Sequence, residues 1–235
     1  MKKILSLLVA IAALTAIVSA QSVTVFEGGR VIVGDGKSLE NATIVVTGDR
    51  ITQVGPAASI KAPAGATRVS LAGKTVMPAI VDTHVHTSTT APELENDLRQ
   101  RAHFGVSAAL SMGLDGTDAA FAQRGKTTPG MARIFLAGRG ITAPEKGRTE
   151  VPYWITTPEE GRKAVQENAA KKVDIIKIWV DDRDGKFPKL TPPLYSAVID
   201  EAHKQKLRVT AHIFSLEDAK GLLKAGIDSF AHGIR

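Results

Sequence analysis

The sequence contains no cysteine. That excludes disulfides, lipid anchoring through a thiol and any thiolate metal site. A metal in this chain must be held by His, Asp, Glu or a modified Lys. Aromatic residues are scarce at 5%, and none is interleaved with a basic stretch. The formal charge of +6 is spread among mixed acidic and basic residues rather than gathered in a block, so nucleic acid is not an expected partner. No apolar run reaches the ~20 residues a membrane-spanning helix needs. No glycine-rich phosphate loop follows the first apolar strand pattern of the main domain, which weighs against dinucleotide binding. What remains is ordinary globular composition, 43% hydrophobic and 23% charged over 235 residues, enough for one large domain with an appendage.

The first twenty residues stand apart. Lys2 and Lys3 give a basic start, Ile4 to Val18 is almost wholly apolar, and Val18-Ser19-Ala20 offers the small residues a signal peptidase reads. Residues 1–20 are therefore expected to be a cleaved export signal, with Gln21 as the mature start. The mature chain would be periplasmic or secreted, with no stable membrane anchor.

Residues 21–74 read as short strands and turns, punctuated by Gly34-Asp35-Gly36, Gly48-Asp49-Arg50 and Gly55-Pro56. From 75 to 235 the pattern becomes alternating. Strand-like runs at 76–85, 106–111, 132–137, 173–180, 207–213 and 227–232 are separated by helical stretches. Thr157-Pro158-Glu159-Glu160 is a helix start with a capping box, and Ser215 and Gly226 bracket another helix. Strands with both faces apolar, alternating with helices, predict an α/β fold with a parallel sheet. A TIM-like barrel needs eight such units, and six are legible. A doubly wound sheet fits the same alternation.

Four of the six histidines end predicted strands: His84, His86, His212 and His232. In parallel α/β folds that end is where active sites assemble. His84 and His86, two apart on a strand, share a face and suit one metal ion. Lys177 lies inside Ile175-Ile176-Lys177-Ile178-Trp179-Val180, where a bare ammonium is costly to bury; a lysine reaching out from the strand end is the alternative. His103 and His203 fall in helical stretches and read as surface or packing residues.

The entry Pro78-Ala79-Ile80-Val81-Asp82-Thr83-His84-Val85-His86, with Lys177, His212 and His232 on later strands and Gly48-Asp49-Arg50-Ile51 before them, resembles the metal-dependent amidohydrolase superfamily, in its imidazolonepropionase-like and prolidase-like branch. The resemblance implies a partial TIM-like barrel, six of eight units, preceded by part of a small β-sandwich. It implies two divalent ions, zinc by preference. His84 and His86 would hold one, His212 and His232 the other, and a carbamate on Lys177 would bridge both. Lys177 and His232 would be the catalytic members of the set.

The implied reaction is hydrolysis of a small amide, such as a dipeptide or N-acyl amino acid, by a metal-activated water. The loop at 139–156 offers Arg139, Arg148, Tyr153 and Trp154 for substrate contact; a solvated loop with two anchoring aromatics is the alternative. The family's Asp on strand 8 has no counterpart, and neither Asp181 nor Asp182 is assigned its role. The chain is thus expected to be a partial or impaired member, with open sheet edges available for pairing with another copy in a homo-oligomer. Two further readings stay open: a mononuclear deaminase of the same superfamily, and a non-catalytic metal- or ligand-binding protein.

Overall fold

The computed structural model describes residues 21–234. The expected export signal lies outside the described residues. The chain divides into two compact units, one ending at Pro78 and the other starting at Ala79.

The first unit is one five-stranded sheet. Strands β1 (Val23–Ile32), β2 (Ser38–Thr47) and β3 (Arg50–Pro56) form an antiparallel meander, while β4 (Thr67–Ser70) and β5 (Thr75–Val76) both pair with β1 in parallel. Gly48, at φ 60°, supplies the left-handed backbone that the two-residue turn between β2 and β3 requires. Val31, Ala42 and Ile44 form its small core. The sequence pattern reads 76–85 as one strand, but the structure splits it. Thr75–Val76 belongs to this sheet, and the next strand starts only at Ile80. Pro78 stands between them and cannot donate to a ladder.

The second unit alternates strands with helices. In order come β6 (Ile80–Val85), α1 (Ala91–His103), β7 (Val106–Ser111), α2 (Asp118–Gln123), β8 (Arg133–Leu136), β9 (Ile141–Thr142) and β10 (Tyr153–Trp154). There follow α3 (Pro158–Ala170), β11 (Ile176–Val180), α4 (Pro192–Lys204), β12 (Val209–Ile213), α5 (Leu216–Lys224) and β13 (Ser229–Phe230). The strands form two parallel sheets, β6-β7-β8 and β10-β9-β11-β12-β13. Among the described residues they do not close into a barrel. The six strands read from the sequence are β6, β7, β8, β11, β12 and β13. The two-residue strands β9 and β10 lie inside what reads as a long loop.

Local chemistry explains the helix starts. Thr157 caps α3 by accepting from Glu160 N at 3.2 Å, and Glu160 Oε2 accepts from Thr157 N at 3.1 Å, closing the expected capping box. Ser215 Oγ caps α5 by accepting from Asp218 N at 3.1 Å. Every residue of β12 is buried, as expected of a parallel strand covered on both faces. Ile176, Ile178 and Val180 of β11 pack with Val198 of α4 and Leu222 of α5 in one core, each contributing roughly 1.5–3 kcal/mol on burial. The odd-numbered side chains of β11 face the other way, toward the chemistry.

Candidate active site

Parallel strands deliver their C-terminal ends to one side of a sheet, and the polar residues of the second unit gather there. His84 and His86 come from the end of β6, Lys177 from β11, His212 from β12, and His232 from just beyond β13. The structure brings all five together. The His84 ring centroid lies 5.3 Å from that of His86 and 4.6 Å from that of His232, and the His212 ring lies 4.8 Å from His232. His84 Nδ1 is 3.4 Å from the carbonyl oxygen of Ala231, across 147 residues of sequence.

Lys177 is fully buried, and its Nζ has no hydrogen-bond partner. Burial pushes its ammonium down from 10.5 to about 7. Its charge reaches the imidazoles in turn. His84 is pushed down to about 4, by burial first and by Lys177 second, and His86 is lowered for the same two reasons. His212 is also pushed down to about 4, chiefly by burial, with Asp181 pulling the other way. At neutral pH, His84 and His212 are therefore uncharged, the state in which imidazole binds a cation.

The donor set suits a metal: imidazoles, uncharged at His84 and His212, no thiolate, and a buried nitrogen left unpartnered. The residues able to hold one are His84, His86, His212 and His232, joined by Lys177 once it is modified to an oxygen donor. Among the described residues, no group of three or more His, Asp or Glu side chains is placed so that it could hold a metal ion as it stands. The imidazoles are gathered ring against ring.

Trp179 shares the inner face of β11 with Lys177 and was not singled out by the sequence. Its ring lies so close to Gly113 and Gly140 that a Cβ would come within 2.5 Å of it at the first and 1.9 Å at the second. Gly113 lies just past β7 and Gly140 just before β9, and at both only a bare backbone leaves room for the indole. Lys177 Nζ sits 5.6 Å from the same ring. Asp115 is a second unforeseen group. It is buried and accepts from Ser111 Oγ at 2.6 Å, and burial raises its carboxyl to about 6.

The four residues proposed for substrate contact are placed around the loop between β9 and β10, each engaged locally. Arg139 Nε donates to the Val151 carbonyl at 2.5 Å, and its guanidinium lies 4.0 Å over the Tyr153 ring. Tyr153 and Trp154 form β10, and the Trp154 indole nitrogen is buried without a hydrogen-bond partner. Arg148 pairs with buried Glu145 at 2.5 Å. Glu145 in turn faces Arg183 at 3.7 Å, and Arg183 reaches both Asp181 and His212. Of the remaining histidines, His203 pairs with Asp228 at 2.9 Å and His103 packs against Phe104.

A cleft of about 430 Å³ lined by Asp181, Asp182, Asp184, Phe214 and Ser215 opens at the ends of β11 and β12. A larger hollow along α1, about 510 Å³ around Arg99 and His103, shares no residue with the histidine cluster.

The profile of the Amidohydrolase family matches residues 75–234, which hold all five clustered side chains. The chain belongs to the amidohydrolase family. An uncharacterized protein of Mycobacterium tuberculosis is 30% identical over 170 residues, covering 68% of this chain and 45% of its own. The ochratoxinase of Aspergillus niger is 26% identical, covering 89% of this chain and 54% of its own. Among solved structures, a Bifidobacterium longum protein described as a prolidase superposes with a TM-score of 0.80 at 29% identity, over 91% of this chain and 55% of that one. This amidohydrolase chain thus spans about half the length of the relatives it matches.

Proposed function

We propose that this chain carries the metal-binding part of a binuclear amidohydrolase that cleaves the C–N bond of a small amide, a dipeptide or N-acyl amino acid. The observation that carries the reading is the convergence of His84, His86, His212 and His232 on the side of the sheet where Lys177 presents a buried, unpartnered nitrogen. In it, His84 and His86 would hold one divalent ion and His212 and His232 the other, and Lys177, once carbamylated, would add an oxygen donor. Bound zinc would supply an acidified water and polarise the amide carbonyl.

The chain's own residues do the rest. The neutral amine of Lys177 can add to carbon dioxide through a new N–C bond, releasing one proton to solvent and leaving an anionic carbamate whose burial bound cations would offset. The uncharged imidazoles keep their lone pairs available. The basic, apolar start of the sequence supports an exported protein.

Zinc content of the full chain, measured with and without bicarbonate, and hydrolysis of dipeptides and N-acyl amino acids test the proposal. Two zinc ions per chain that depend on bicarbonate, with turnover of an amide, are expected. One zinc insensitive to bicarbonate would favour the mononuclear deaminase reading. Zinc bound no more tightly than by a variant lacking His84 and His86 would sink the metal site.

A further inference from the structure

Asp181 continues the alternation of β11 beyond Val180, on the face that carries Lys177 and Trp179. It is 5% exposed. Its Oδ2 lies 3.1 Å from Nε2 of His212 and is ion-paired with NH1 of Arg183, while its Oδ1 accepts from the Arg183 backbone N–H at 2.9 Å. Arg183 NH1 is also 3.2 Å from the same His212 nitrogen. Nε2 of His212 is therefore occupied by protein. Only Nδ1 is left to meet a cation.

An ionised carboxylate can only accept a hydrogen bond. Its approach to Nε2 is favourable when that nitrogen carries the hydrogen, which leaves the lone pair on Nδ1. The opposite tautomer would set a lone pair against the carboxylate 3.1 Å away, a repulsion that the second N–H of Arg183 Nη1, 3.2 Å from the same nitrogen, would have to offset. The arrangement is held with some strain: Arg183 and Asp184 both adopt left-handed backbone, at φ 56° and 59°. Buried Glu145 backs the guanidinium from the far side at 3.7 Å. The His212 ring itself is fixed between Phe214, 4.9 Å away edge-on, and His232.

We propose that Asp181 is a positioning residue that accepts from Nε2–H of His212 and so presents Nδ1 to the metal, with Arg183 and Glu145 holding the carboxylate in place. This rests on the reading of His212 as a ligand. Hydrogen-bonded partners of this kind, one shell out from a metal, fix the tautomer and orientation of the ligating ring.

The test uses the full chain labelled with 15N-histidine, free of metal, with His212 assigned by loss of its signals in His212→Gln. Two-bond 1H–15N correlations are expected to show His212 protonated on Nε2, and added zinc to shift its Nδ1. Asp181→Asn is expected to lose the tautomer bias and to bind zinc about 10–100-fold more weakly, with its melting temperature near that of the parent. His212 protonated on Nδ1 in the parent chain overturns the inference even if zinc binds elsewhere, and that spectrum decides the matter if the variant fails to fold. Zinc binding that leaves Nδ1 unmoved overturns it too. No zinc binding at all, with the tautomer as expected, removes the metal reading and this role with it.

Discussion

Replacing Lys177 with Met tests the electrostatics of the site directly. Methionine keeps the length and volume of the side chain and removes the nitrogen. In metal-free buffer stripped of carbon dioxide, the buried amine titrates at about 7, against 10.5 for an ordinary lysine. Between those values the unfolded chain holds the proton and the native one does not, so raising the pH favours the native state. Below about 7 both states are protonated, and the full penalty of a buried ammonium applies. A shift of this size corresponds to about 5 kcal/mol at most, falling to about 2 kcal/mol at pH 9 and under about 1 kcal/mol by pH 10.5. Lys177→Met should therefore stabilise the metal-free protein by about 3–5 kcal/mol at pH 7, and the gain should vanish toward pH 10.5. Urea unfolding followed by tryptophan fluorescence reads this cleanly, because both tryptophans, Trp154 and Trp179, lie in the second unit. With zinc and bicarbonate present the ranking should invert, since the variant keeps the four histidines but lacks the Lys177 oxygen donor and gains less binding energy. A variant less stable than the parent at pH 7 without metal, or a gain that ignores pH, would refute the reasoning.

Asp115 should give the opposite slope: its carboxyl rises on folding from 3.8 to about 6, so the native state holds the proton more tightly and stability falls as pH climbs through that window. The loss is about 3 kcal/mol at most, and Asp115→Asn should lack it in denaturation curves between pH 4 and pH 7. Gly140→Ala places a methyl against the Trp179 ring; it should cost about 1–3 kcal/mol and shift tryptophan emission, and an unchanged spectrum would mean the ring is held by something else. Thr157→Ala removes the cap of α3 and should lower stability by about 1 kcal/mol, measured by thermal denaturation with no change in zinc affinity.

The histidines were legible because each ends a run of apolar residues, and in a parallel sheet the ends of strands share one side. Lys177 was legible because no solvated face exists on a strand so apolar. The capping box of α3 reads directly from Thr157 and Glu160. The sequence was silent where geometry depends on backbone that residue types do not announce. Nothing in Asp181-Asp182-Arg183-Asp184 signals two consecutive left-handed non-glycine residues, yet that turn brings Arg183 back onto Asp181 and His212. Trp179 was hidden for a related reason: its seat is made by Gly113 and Gly140, far away in sequence. The break at Pro78 was visible in principle. An apolar run on both sides of the proline masked it, so Val76 was read with the strand that follows rather than with the sheet that precedes it.

The approach of His84 to the Ala231 carbonyl closes a loop of 147 residues. Bringing such distant segments together costs about 4 kcal/mol in chain entropy beyond the constant term, and the cost is recovered only after the intervening strands are in register. The cluster is therefore among the last features to appear as the protein folds. Capture of zinc during refolding would work as a clock, marking arrival at the native topology rather than collapse.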